Sequence, residues 1–151
     1  MASSPCDADE RRERVFVAVH DLASFADEVT RLATVINAPA RLLPTYGRTE
    51  DFARPHIEFD GSLFHFVVVE RGQELERISS PEPREILFHV FEMVTFSMAG
   101  QYELHHRRLN EDSRRQMFAV QLDLLGQLAP DWQQRTRARL DEVLRKHPFV
   151  D

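Results

Sequence analysis

The sequence is poor in residues on which several kinds of functional site depend. Its single cysteine, Cys6, excludes an internal disulfide and an all-cysteine zinc site. Its five glycines are scattered, so there is no glycine-rich phosphate loop, and no G-x-S-x-G or H-E-x-x-H motif occurs. The longest apolar run, from Phe64 to Val69, falls far short of the ~20 residues of a membrane span. We therefore expect neither a membrane protein nor an enzyme built on these motifs.

Positive charge is also scarce. The 25 acidic residues exceed the 19 Lys and Arg residues, giving a net charge of −6, and residues 1–75 hold 13 acids against 8 bases. Because phosphate binding needs a basic surface, the composition disfavours nucleic acid as a partner and favours a basic protein. The first ten residues are small and acidic, without a basic and apolar leader. We therefore expect no signal peptide and a cytoplasmic protein.

The N-terminal part predicts a short lead followed by a helix. Residues 1–14 are expected to be disordered, and residues 15–151 are expected to form a single domain. Apolar residues then recur every three or four positions, which is typical of a helix with one buried face. Pro39 is expected to end this helix. The apolar positions are Val15, Val19, Leu22, Ala26, Val29, Ala33 and Ile36.

The middle of the chain predicts an antiparallel meander. Residues 41–47 are extended or form a short edge strand, since Pro44 disfavours a central position. Asp60-Gly61 is a strong hairpin signal, because Asp and Gly tolerate the positive φ angles of a two-residue turn. A second turn is centred on Arg71-Gly72. The three strands joined by these turns are placed at His56–Asp60, Leu63–Glu70 and Gln73–Ile78.

A two-residue loop at Asp60-Gly61 also predicts a register. The opposed pairs are Phe59 with Ser62, Ile57 with Phe64, and His56 with His65. Alternate residues then form a core face made of Ile57, Phe59, Phe64, Phe66 and Val68.

The same strand is apolar on its other face, where Val67 and Val69 lie, which predicts a central strand covered on both sides. Phe64, Phe66 and Val68 should be the hardest residues to lose. A large-to-alanine change at these three positions should cost roughly 2–5 kcal/mol.

The C-terminal part predicts three helices. Ser80–Pro83 is a helix start signal, a second helix begins near Asn110 and ends before Pro130, and a third runs from about Asp131 to Lys146. The order of elements predicts an α+β fold, with an N-terminal helix, a three- to four-stranded antiparallel meander and three C-terminal helices packed on the sheet. The apolar stripe of the first of these helices is Leu87, Phe91, Val94, Met98, Tyr102 and His105.

Histidines offer one metal-site hypothesis. His56 and His65 are predicted cross-strand neighbours, and Glu58 is predicted to lie on the same face of the sheet. Two imidazoles and a carboxylate are ligands that zinc accepts. The alternative is two surface histidines beside an acid, because a cross-strand pair does not by itself specify tetrahedral geometry.

Several stretches point to a known family. The most specific are FVVVERGQELE at residues 66–76 and VTFSMA at residues 94–99, the latter followed by YEL at 102–104 and HR at 106–107. LLPTYG, DFARPHIE, residues 121–125 and the HPF near the C-terminus add to them. From about residue 20 onward the chain resembles the bacterial immunity protein 63 family.

The resemblance implies an inhibitor protein without enzymatic activity. Members of this family are regarded as immunity proteins of bacterial polymorphic toxin systems, which protect the producing cell from a toxin encoded beside them. No catalytic residue and no cofactor is carried over, and the toxin is not identified. The partner implied is therefore a cognate toxin domain.

Acidic residues with aromatic neighbours in the first half of the chain are the predicted toxin-binding patch, because loops and strand ends often carry recognition. Two other hypotheses remain open: a metal-binding protein or metal-dependent enzyme using the histidine cluster, and a homodimer formed through the apolar second face of the central strand. The predicted patch consists of Tyr46, Glu50, Asp51, Phe52, Glu58, Asp60, Glu70 and Glu74.

Overall fold

A computed structural model describes residues 17–151, which form a four-stranded sheet and four α-helices. The predicted lead at residues 1–14, the predicted domain start at residue 15 and Cys6 lie outside the described residues. The elements are α1 (Leu22–Val35), a 3₁₀ turn (Ala40–Leu42), β1 (Thr45–Tyr46), β2 (His56–Phe59), β3 (Phe64–Glu70), β4 (Gln73–Ser80), α2 (Pro83–His105), α3 (Ser113–Leu128) and α4 (Pro130–Lys146).

Helix α1 begins later than the apolar spacing predicts. Asp21 caps it, since its carboxylate accepts from the Ser24 N–H at 2.7 Å while the Ser24 hydroxyl accepts from the Asp21 N–H at 3.1 Å. Val19 therefore precedes the helix, although it packs against the core. The helix ends before Pro39, as predicted.

The sheet has the order β1-β2-β3-β4, and only part of it is the predicted meander. The β2–β3 and β3–β4 pairs are antiparallel, whereas β1 pairs with β2 in parallel. The expectation of a purely antiparallel sheet is therefore wrong. Two residues on each strand form this parallel pair, which is too short for periodicity in the sequence to reveal its direction.

The predicted register of the first hairpin is wrong by two residues. Asp60 accepts from the N–H groups of Ser62 and Leu63 with one carboxylate oxygen, at 2.9 and 2.8 Å, so the loop has four residues instead of two. A shift of two keeps every side chain on its predicted face. The observed pairs are His56 with Val67, Ile57 with Phe66, Glu58 with His65, and Phe59 with Phe64.

The predicted core face is confirmed in its central part. Ile57, Phe64 and Phe66 are buried, while Phe59 and Val68 are half-buried at its margins. Val67, on the second face, is only 1% exposed, so this residue offers no apolar surface to a second copy of the chain.

The three C-terminal helices form where proline and polar residues predict, but they do not all pack on the sheet. α2 lies on β3 and β4, α3 packs against α2, and α4 packs mainly against α3. Trp132 of α4 also stacks on Phe91 of α2, with ring centroids 6.0 Å apart. Tyr102 is 43% exposed and stacks on His106, so the predicted apolar stripe of α2 is wrong at its C-terminal end.

Candidate protein-binding surface

The loop of residues 47–55 between β1 and β2 is fastened to the β3–β4 hairpin. The Ala53 N–H donates to the Val69 carbonyl at 3.1 Å, and Phe52 forms an antiparallel bridge with Glu70. The Gly72 N–H donates to the Asp51 carboxylate at 2.8 Å. We call residues 47–55 and 70–74 the loop–hairpin edge, because these contacts make one surface from two separate parts of the chain.

Left-handed backbone conformations shape this edge. Asp51 and Ala53 have φ angles of 57° and 56°, and the turn residues Arg71 and Gly72 have 52° and 72°. Such angles cost a non-glycine residue about 1 kcal/mol or more and persist only where the surroundings hold them. Here the hydrogen bonds between loop and hairpin supply that restraint, and the Arg71-Gly72 turn is the predicted one.

The structure brings five of the eight predicted binding residues to this edge. Tyr46 lies beside them on β1, half-buried against the core, where burial raises the pKa of its hydroxyl to about 12. Glu58 lies on β2, and Asp60 lies in the turn at the opposite end of the sheet. The five residues at the edge are Glu50, Asp51, Phe52, Glu70 and Glu74.

Exposure and charge single out three of these five. Phe52 is 88% exposed, which is unusual for a phenylalanine. Among the described residues, Asp51 and Glu70 have no ion-pair partner, whereas Glu50 pairs with Arg54 at 2.9 Å. The edge therefore offers an aromatic side chain beside two carboxylates that no cation neutralises.

Two other predicted acids belong to an ion-pair chain on the second face of the sheet. Arg77 donates to Glu58 at 2.9 Å and to Glu74 at 2.8 and 3.0 Å, and Glu58 also bonds His56 at 3.0 Å. The hydrogen bond from His56, followed by that from Arg77, lowers the pKa of Glu58. The hydrogen bond from Arg77 likewise lowers the pKa of Glu74. These two carboxylates are largely neutralised inside the chain.

The histidine pair that supported the metal hypothesis does not form. His56 lies opposite Val67, and both ring nitrogens of His65 are occupied, one by Asp60 at 2.9 Å and the other by Ser79 at 2.6 Å. Within residues 17–151 no group of three or more His, Cys, Asp or Glu side chains could hold a metal ion.

Asp60 is expected to contribute to the acid sensitivity of the fold. The N–H of Leu63, the His65 ring and the N–H of Ser62 lower its pKa from 3.8 to about 2. A carboxyl whose pKa is lower when folded stabilises above its unfolded pKa and loses that contribution as the pH falls toward its folded pKa. The Asp60→Asn variant should therefore lose less stability than the unmodified chain between pH 4 and pH 2.

Urea unfolding at these two pH values, together with an NMR titration of the Asp60 carboxyl carbon, tests this expectation. An NMR midpoint near 3.8, or equal losses of stability in the two proteins, would contradict it.

A groove opens next to the loop–hairpin edge. It has a volume of about 420 Å³ and lies between the core face of the sheet and α2, with Ala53 of the loop in its lining. Glu76, His89, Glu92 and Arg139 contribute polar groups to it. This groove was not predicted from the sequence. Phe96 was the one signal of it, because this residue falls outside the apolar stripe of α2, and in the structure it is 52% exposed. The other apolar residues of the lining are Phe66, Val68, Ile78 and Met93.

The chain belongs to the immunity protein 63 family, whose family model matches residues 60–142. The match includes the ERGQE, VTFSMA and YEL stretches, while LLPTYG, DFARPHIE and HPF lie outside it. A family of immunity proteins implies a toxin as the protein partner.

The other comparisons are negative. No curated protein and no solved structure matches the chain significantly. In the part of the chain from residue 17 onward, no helix has both the length and the apolar character that a membrane span requires.

Proposed function

We propose that this protein neutralises a cognate bacterial toxin by binding it directly, in the cytoplasm, without catalysing a reaction. Membership of the immunity protein 63 family is the observation that carries this proposal. The toxin would belong to a polymorphic toxin system, and binding would cover its active site or an adjacent surface.

The loop–hairpin edge is the surface we propose for this contact. Aromatic side chains are enriched among the residues that dominate interface energies, and Phe52 is presented for contact. Asp51 and Glu70 add negative charge, which accelerates association with a basic surface. The net charge of −6 acts in the same direction at longer range.

Co-expression tests the proposed function. The toxin domain encoded beside this gene should stop growth when expressed alone, and expression of this chain should restore growth. Mixing the two purified proteins at an equimolar ratio should give one complex and abolish the activity of the toxin. If the toxin stays active and unbound when this chain is present in excess, the proposal is refuted.

Phe52→Ala is expected to weaken binding to that toxin domain. Loss of an aromatic contact at an interface commonly costs 1–2 kcal/mol or more, which corresponds to a dissociation constant raised roughly tenfold. Isothermal titration calorimetry measures this constant. Leu109→Ala is the matched control, since Leu109 is also 88% exposed and lies between α2 and α3. Equal affinities of the two variants would place the contact elsewhere.

A further inference from the structure

The groove between the sheet and α2 has an apolar floor that the chain itself leaves partly open. Val68 and Ile78 of the sheet and Met93 of α2 are only half-buried, although they pack against the core. Phe96 stands at the side of the groove with 52% of its surface exposed. A space of about 420 Å³ with these walls is large enough for the side chain of another molecule.

The rim of the groove holds one carboxylate without a counter-charge among its lining residues. Glu76 is exposed and has no ion-pair partner among the described residues. Glu92 is paired with Arg139 at a distance of 3.4 Å. The loop–hairpin edge adjoins the groove through Ala53, and there Asp51 and Glu70 also lack an ion-pair partner within residues 17–151. A cation bound beside the apolar floor would therefore meet carboxylates that have no counter-charge.

This combination favours one kind of occupant. We propose that the groove receives an apolar side chain of a protein partner, with a Lys or Arg next to that side chain pairing with Glu76. The inference rests on the proposed function, since the partner is the toxin. A second copy of this chain fits less well, because it would bring two sets of rim carboxylates together.

Two variants separate the apolar and the charged parts of the contact. Phe96→Ala removes the aromatic wall, and Glu76→Arg reverses the charge of the rim. Each has a matched control. Leu104→Ala removes a 63% exposed side chain from the same helix, and Asp27→Arg reverses an exposed carboxylate on α1 that forms no ion pair with the described part of the chain. Circular dichroism and thermal unfolding establish that all four variants are folded.

Binding to the purified toxin domain encoded beside this gene is the readout. Phe96→Ala should raise the dissociation constant roughly tenfold. Glu76→Arg should lower the association rate roughly tenfold at low ionic strength, and salt should reduce this effect. Both controls should stay within about twofold of the unmodified chain, as expected for residues outside an interface.

The outcomes distinguish the groove from the proposed function. If the unmodified chain binds the toxin and both groove variants behave like their controls, the groove is not the docking site and the function stands. If Glu76→Arg weakens binding and Phe96→Ala does not, the proposal for the groove is also overturned, because no apolar contact would be involved. A dimer in light scattering that Phe96→Ala dissociates would assign the groove to a second copy. If the unmodified chain does not bind, the proposed function fails and the inference fails with it.

Discussion

Replacing Phe64 with alanine will lower the free energy of unfolding by about 3–5 kcal/mol, the range for Phe→Ala in a protein core. Phe64 is 3% exposed and joins three elements, because its ring stacks on Phe59 of β2 at 4.3 Å and on Phe25 of α1 at 5.4 Å. The cavity would lie where β2, β3 and α1 meet. Since the free energy of unfolding of a typical domain is only about 5–15 kcal/mol, this substitution removes a large fraction of it.

Denaturant unfolding with linear extrapolation measures this loss. Phe52→Ala is the matched control, since it is the same substitution at a side chain that is 88% exposed. It should change the free energy of unfolding by less than about 0.5 kcal/mol. Val68→Ala should fall between them, at about 1 kcal/mol, which corrects the larger loss expected from the sequence, because Val68 is only half-buried. Similar losses in Phe64→Ala and Phe52→Ala would contradict this description of the core.

Arg31→Ala should destabilise the protein by about 3 kcal/mol, at the lower end of the range for removing one partner of a buried ion pair. The Glu28 side chain is 2% exposed, and Arg31 donates to it through two nitrogens, one of them at 3.0 Å. Without Arg31, the buried Glu28 side chain would lose its cationic partner. We expect a loss of stability at the lower end of that range because the Arg31 side chain is itself 37% exposed.

A double-mutant cycle isolates this pair. Adding Glu28→Gln to Arg31→Ala removes the buried charge and should restore much of the lost stability. Arg48→Ala is the control, since Arg48 is exposed and forms no side-chain ion pair among the described residues, and it should stay within about 0.5 kcal/mol of the unmodified protein. If Arg31→Ala is as harmless as this control, Glu28 does not depend on its partner.

Helix ends and strand faces could be predicted because they follow local rules. Pro83 opens α2 where proline is tolerated, α3 ends before Pro130 as predicted, and the second turn is centred on Arg71-Gly72 as predicted. Strand faces were correct despite the wrong register, because a shift of two residues preserves alternation. The carboxylate of Asp60 closed a longer turn than the Asp-Gly signal indicates.

Long-range features could not be predicted in this way. The buried face of α1 includes Phe25, Glu28 and Leu32, which the apolar spacing omitted, because the surrounding elements decide how wide a face is covered. The pairing of Arg77 with both Glu58 and Glu74 depends on the register across β2, β3 and β4.

The candidate site likewise has one part that the sequence could predict and one part that it could not. Exposed acids and the aromatic Phe52 could be found from the sequence, because loops between strands reach the surface. The groove could not, since Val68, Ile78 and Phe96 come from three elements that only the fold brings together. The family resemblance supplied the functional class, which no local pattern contained.

The outer strand β4 is an edge strand that does not favour pairing with another molecule. A bulge places Leu75 outside the ladder, and Glu74, Glu76 and Arg77 line the strand around it. A strand from another molecule could extend the sheet only by burying these charges and bridging an irregular backbone. Association of copies through this edge, which is a common route to fibrils, is therefore disfavoured.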